Sequence, residues 1–137
     1  MNKAEAILDR LLSRYLDCIY ASLRIVTGLA FAFHGMQKVF GVFGAKQFEV
    51  GSQFWIGGVI ELVGGFLVAF GLLTRWAAFI CSGTMAVAYI QFHWKFQFDK
   101  NFFPGVNNGE LALIYSFLFL YIAARGAGCC SLDRRLS

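Results

Sequence analysis

The sequence predicts an all-α integral membrane protein: a four-helix up-down-up-down bundle preceded by an N-terminal amphipathic interfacial helix. Three observations carry this. Hydrophobic residues make up 58% of the chain against 15% charged, with a single proline, and the mean hydropathy is +0.62, outside the range of an ordinary soluble domain. The apolar residues fall into four runs, three of 20 or 21 residues and a shorter fourth of 15, against the roughly 20 residues a membrane helix needs. Most Lys and Arg residues lie in the gaps between those runs and form no basic patch, so the net charge of +4 speaks for topology rather than for nucleic-acid binding. At 137 residues the runs use most of the chain, which leaves one domain.

The first element covers residues 1–16. Ile7, Leu8, Leu11, Leu12, Tyr15 and Leu16 recur at helical spacing, with Lys3, Asp9, Arg10 and Arg14 on the other face, the pattern of a helix lying on a membrane surface. A cleaved signal is not expected, because the apolar run after Asp17 carries Arg24 and continues to Gln37. Residues 17–126 hold the bundle, with spans expected at Cys18–Gln37, Phe54–Leu73, Trp76–Phe96 and Glu110–Ala124, and residues 127–137 form a tail. The tight Thr74-Arg75 turn makes the second and third spans antiparallel neighbours. Lys3, Arg10, Arg14, Arg75, Arg125, Arg134 and Arg135 fall on the side of both termini, against Lys38, Lys46, Lys95 and Lys100 on the other. This bias puts both termini in the cytoplasm. Aromatic residues cluster towards the outer ends, in FGVFGAKQF, FHWKFQF and NFF, where rings seat at headgroup level. Gly57, Gly58, Gly64, Gly65 and Gly71 lie on or at the end of the second span, and are expected to let a neighbouring helix approach.

Ionisable residues inside these spans are the candidate site. His34 and Lys38 end the first span, Glu61 lies seven residues into the second, His93 is near the end of the third and Glu110 opens the fourth; on the expected topology all five lie in the outer half of the bilayer. A charge at the helix centre costs about 2.5–3.5 kcal/mol on insertion scales, so these groups should face inward and pair. At about 100° per residue, Arg24, His34 and Lys38 share an arc of about 80°. Glu61, flanked by Gly57 and Gly65, should therefore pair with Lys38, Arg24 or His34. Two readings stay open: an ion-pair network that fixes helix register, or a ligand site facing the outer leaflet. Glu110 has a local explanation, since Asn107 three residues earlier makes an Asn-x-x-Glu capping-box pattern.

Other chemistries find less support. Cys18, Cys81, Cys129 and Cys130 all map to the cytoplasmic half and form no C-x-x-C, which disfavours thiol–quinone exchange and leaves Cys129-Cys130 as inert thiols or a lipidation site. His34 and His93 are at similar depth, as a bis-histidine haem would require, but two histidines are a weak signal and haem is disfavoured. No metal site, nucleotide loop or hydrolase triad is visible.

The motifs HGMQKVFG (His34, Gly35, Gln37, Lys38, Gly41), IELVGGFLVAFGLLTR (Glu61 to Arg75), NNGELAL around Glu110 and CSLDRRL at the tail together resemble the DoxX family of small four-helix membrane proteins, over about residues 18 to 135. The chain departs from that pattern in its first outer loop, where many relatives carry a longer insertion. The resemblance implies a bacterial inner-membrane protein, in a family with members linked to thiosulfate:quinone oxidoreduction and to thiol and oxidative-stress enzymes. The expected function is a membrane subunit of a quinone-linked redox or respiratory complex, with His34, Lys38, Glu61, His93, Arg24, Gln37 and Glu110 as candidate cofactor-binding residues and quinone as the cofactor. The alternatives are a non-catalytic assembly or anchoring subunit and, more remotely, a small-solute transporter, disfavoured by the lack of inverted repeats.

Overall fold

The computed structural model describes residues 2–136, and among them the only regular structure is helical. Helix α1 (Lys3–Ser13) is opened by a capping box in which the Asn2 side chain accepts from the Glu5 amide and the Glu5 carboxylate from the Asn2 amide. It buries none of its residues. Helix α2 (Leu16–Phe40) runs 25 residues, ending at Gly41 in the left-handed region. The helix extends past the expected end at Gln37, so Lys38 belongs to its last turn, where a cation complements the helix dipole.

Ser52 caps α3 (Gln53–Phe70), accepting from the Trp55 amide. Both α2 and α3 are long and apolar enough to cross a membrane. They make the most extensive helix pair in the fold, through glycine. A Cβ on Gly28 would meet the backbone of Gly65 and Ala69, and one on Gly35 the backbone of Gly58 and Leu62. Gly28 and Gly35, like Gly58 and Gly65, are seven residues apart, two helical turns, so the paired glycines meet twice along one seam.

Helix α4 (Thr74–Ala88) continues into a π-helical turn at Tyr89–Trp94, where the sequence predicts an uninterrupted α-helix to Phe96. The wider turn re-aims the side chains after Ala88. A one-turn helix α5 (Pro104–Asn107) precedes α6 (Glu110–Arg125), and α7 (Leu132–Leu136) ends the described chain. Helix α4 packs on α3 and, more extensively, on α6. Between them lies the core of Phe31, Val68, Ala78, Cys81, Phe119 and Ile122, with Phe31 stacked edge-on to Phe119 at 4.6 Å between ring centroids.

The expected Asn-x-x-Glu capping box at α6 does not form. Gly109, not Asn107, is the N-cap, with no side-chain cap bond. Asn107 is drawn off instead: its side-chain oxygen accepts from the Gly109 amide and its nitrogen donates to the Asn101 carbonyl, which closes the loop ahead of the helix.

Candidate functional site

The α2–α3 glycine seam decides where the ionisable groups meet. It lets Lys38 lie directly over Gly58 and brings its ammonium to Glu61, with Nζ 2.5 Å from Oε1. The lysine side chain keeps 32% of its exposure while that of Glu61 keeps 3%. The second carboxylate oxygen, Oε2, is buried with no hydrogen-bond partner among the described residues. A carboxylate desolvated on one side and paired on the other retains an unspent acceptor.

Two cavities share this pair. The larger, about 530 Å³, is a groove between α3 and α4 lined by Lys38 and Glu61 at one end and by Phe54, Ile60, Met85, Val87 and Phe92 along its apolar walls. Gly57 and Gly83 line it too, and a Cβ on either would meet nothing within 4 Å. The smaller cavity, about 200 Å³, lies on the α6 side and is more polar: His34, Lys38, Glu61, His93, Asn108 and Tyr115 contribute to its wall. His93, in the π-helical turn, lines both cavities, and its Nδ1 is 3.1 Å from the Asn107 carbonyl oxygen. The hydrogen bond orients the ring towards the loop before α6.

Of the seven residues singled out from the sequence, His34, Lys38, Glu61 and His93 therefore come together. The other three do not join them. Arg24 is fully buried near the opposite end of α2, where its guanidinium donates to the carbonyls of Val68 and Ala69 from Nη1 and of Cys130 from Nη2, at 2.6–2.8 Å. It holds a chain crossing rather than Glu61. Gln37 lines neither cavity. Glu110 is exposed, on the rim of a separate surface hollow with Pro104, Asn108 and Leu111.

Sequence reasoning missed Gly83, Tyr115 and Asn108 as lining residues. No local signal marks Gly83 or Asn108, but Tyr115 was legible as the only tyrosine within the apolar run from Leu111 to Leu120. None of the cysteines lines either cavity, and Cys81 is wholly buried against Gly64. Cys129 Sγ lies 3.1 Å from the Asp17 carbonyl, near the start of α2 and roughly 30 Å along that helix from Lys38.

A family model described as DoxX matches residues 19–94, which contain the α2–α3 seam, the ion pair and His93. An uncharacterized protein of Haemophilus influenzae is 42% identical over 128 residues, spanning 90% of this chain and 95% of its own length. The "Putative oxidoreductase CatD" of Bacillus subtilis is 32% identical, covering 81% of each chain. The "Inner membrane protein YqjF" of Escherichia coli is 31% identical, covering 83% of this chain and 88% of its own. No solved structure matches.

Proposed function

This chain belongs to the DoxX family of membrane proteins, and from that premise we propose that it is a membrane subunit of a quinone-linked redox complex, with the Lys38–Glu61 groove as its ligand pocket. The observation that carries the reading is the pairing of a buried, half-satisfied carboxylate with an apolar cavity of ring-binding size. Most ligand sites have this composition, apolar walls with a few convergent polar groups. The names of two relatives, a "Putative oxidoreductase" and an "Inner membrane protein", agree with it.

In this reading α2, α3, α4 with its π-helical turn, and α6 cross the bacterial inner membrane as an up-down-up-down bundle with both termini in the cytoplasm. Helix α1, whose Ile7, Leu8, Leu11 and Leu12 are all exposed, lies in the cytoplasmic interface. The groove then opens to the outer leaflet. Its residues fit a quinone head: Lys38 has two N–H groups beyond the one given to Glu61, enough to donate to a ring carbonyl, and Phe54 and Phe92, with centroids 4.6 Å apart, offer ring contacts. A bound quinone would supply the two-electron, two-proton exchange; the chain orients the head, excludes water and presents the Glu61 carboxylate as the acceptor for a hydroxyl proton, with His34 and His93 on the polar side to pass it on.

The test is thermal unfolding of the purified protein with and without decylubiquinone. A ligand-dependent rise in Tm that the groove-filling variant Gly57→Leu removes supports the pocket, and its absence, together with no co-purifying quinone, overturns it. Native mass spectrometry of gently extracted membranes tests the complex: co-migrating large subunits support it, and isolation of the chain by itself counts against it. A non-catalytic anchoring subunit is the second reading, favoured by α1, whose Ile7, Leu8, Leu11 and Leu12 stay exposed among the described residues.

A further inference from the structure

Resting on that reading of the groove, we infer that it selects the reduced, hydroxyl-bearing form of the ring over the oxidised dicarbonyl form, and that Gly57 and Gly83 provide the slot in which the ring lies. The first half follows from donor and acceptor counting. Glu61 Oε1 is taken by Lys38, while Oε2 is buried and has no donor among the described residues. A hydroquinone hydroxyl satisfies both partners at once, donating to Oε2 and accepting from Lys38 Nζ. A quinone carbonyl only accepts, so it engages Lys38 and leaves Oε2 orphaned, as it is without ligand. The gain from satisfying a buried acceptor then goes to the reduced form alone.

The second half follows from the glycines. Gly28, Gly35, Gly58 and Gly65 have no room for a side chain, since backbone or Cβ atoms of the facing helix lie where a Cβ would go. Gly57 and Gly83 are different. Both line the groove, on α3 and α4 respectively, and a Cβ on either would have open space for 4 Å around it, so packing does not account for the missing side chains. Glycine inside a helix costs stability relative to alanine. What the two positions provide is width, and Gly57 lies one turn before Glu61, which places that width beside the carboxylate.

The experiment is equilibrium binding of decylubiquinol and decylubiquinone to the full-length protein in lipid nanodiscs, the former under anaerobic reductant. The expected result is about tenfold tighter binding of the quinol, a difference of about 1.4 kcal/mol, falling to near parity in Glu61→Gln, whose amide can also donate to a carbonyl. Gly57→Leu fills the slot while leaving the carboxylate in place, and should weaken both forms together without lowering the unfolding midpoint. Equal or tighter binding of the quinone, with Gly57→Leu still blocking both, overturns the selection and leaves the quinone pocket standing. No binding of either form overturns the pocket and the selection with it. Dodecanol binding as tightly as the quinol, with the same dependence on Glu61, overturns the ring slot.

Discussion

Asp133 caps helix α4 at Thr74, 59 residues earlier in the chain: one carboxylate oxygen accepts from the Thr74 amide at 2.9 Å and from its hydroxyl at 2.7 Å, and the other from the Leu73 amide at 2.7 Å. Leu73, the N-cap of α4, is in the left-handed region and supplies no side-chain cap. The tail thus provides from a distance what the local sequence lacks. The Asp133 amide donates in return to the Gly71 carbonyl, and Arg24 holds the Cys130 carbonyl just upstream.

Asp133→Ala should destabilise the fold by about 1–2 kcal/mol, the loss of an N-cap, read as a lower midpoint of reversible unfolding in mixed micelles. Burial works against ionising this carboxyl, but the hydrogen bonds from Thr74 and Leu73 outweigh it and hold the group below its ordinary range. A carboxyl lowered on folding stabilises the fold in full above its unfolded value of about 3.9, and that contribution disappears as pH falls through the folded value. Asp133→Asn should therefore flatten the acid side of the stability profile below about pH 4, and an unchanged profile would remove Asp133 from the fold's acid sensitivity.

The glycines divide into two classes with opposite expected outcomes. Gly35→Ala forces a Cβ into the backbone of Gly58 and Leu62, so the α2–α3 seam must part, at about 1–3 kcal/mol for overpacking. Gly57→Ala meets open space and replaces a poor helix former, so it should be neutral or stabilising by up to about 1 kcal/mol. Paired unfolding curves check this, and equal losses at both positions would show that the seam does not govern packing.

Much of this was legible from residue type and spacing. Apolar runs located α2, α3 and α6, and depth along them brought Lys38 and Glu61 to a common level, because both properties are one-dimensional. Arg24 was misplaced for the same reason: its arc on α2 was right, but its partners are carbonyls of α3 and of the tail, and no helical wheel shows where a tail returns. The π-helical turn at His93 shifts register by one residue, below what hydrophobic periodicity resolves. Gly57 and Gly58 look alike in sequence, and only the fold shows that α2 packs against Gly58 while Gly57 faces open space.

Arg24→Lys should release the tail. The guanidinium fork bridges the end of α3 to the Cys130 carbonyl, and a single ammonium does not span those acceptors. Cys129, which is only partly exposed, should then react faster with a polar maleimide. Mass-spectrometric mapping of the modified cysteines separates it from Cys18 and Cys130, which are exposed already. A Cys129 rate equal to that of the parent protein would mean that contacts such as those of Asp133 and of Cys129 with Asp17 hold the tail without Arg24.

Removing the two halves of the ion pair should cost unequal amounts. Lys38→Met leaves Glu61 as an unpaired carboxylate in a site only 2% exposed, and an uncompensated buried charge costs about 3–5 kcal/mol. Glu61→Gln leaves Lys38 with a third of its side chain exposed, so the ammonium can reach the headgroups and the loss should be about 1 kcal/mol or less. The double variant Lys38→Met/Glu61→Gln leaves no charge at this site, and should recover most of what Lys38→Met lost, giving a non-additive cycle of at least about 2 kcal/mol. Unfolding of the four proteins side by side measures that coupling. Additive losses would mean that the carboxylate is hydrated from the polar cavity and does not depend on Lys38, which would leave Oε2 no reason to seek a donor from a ligand.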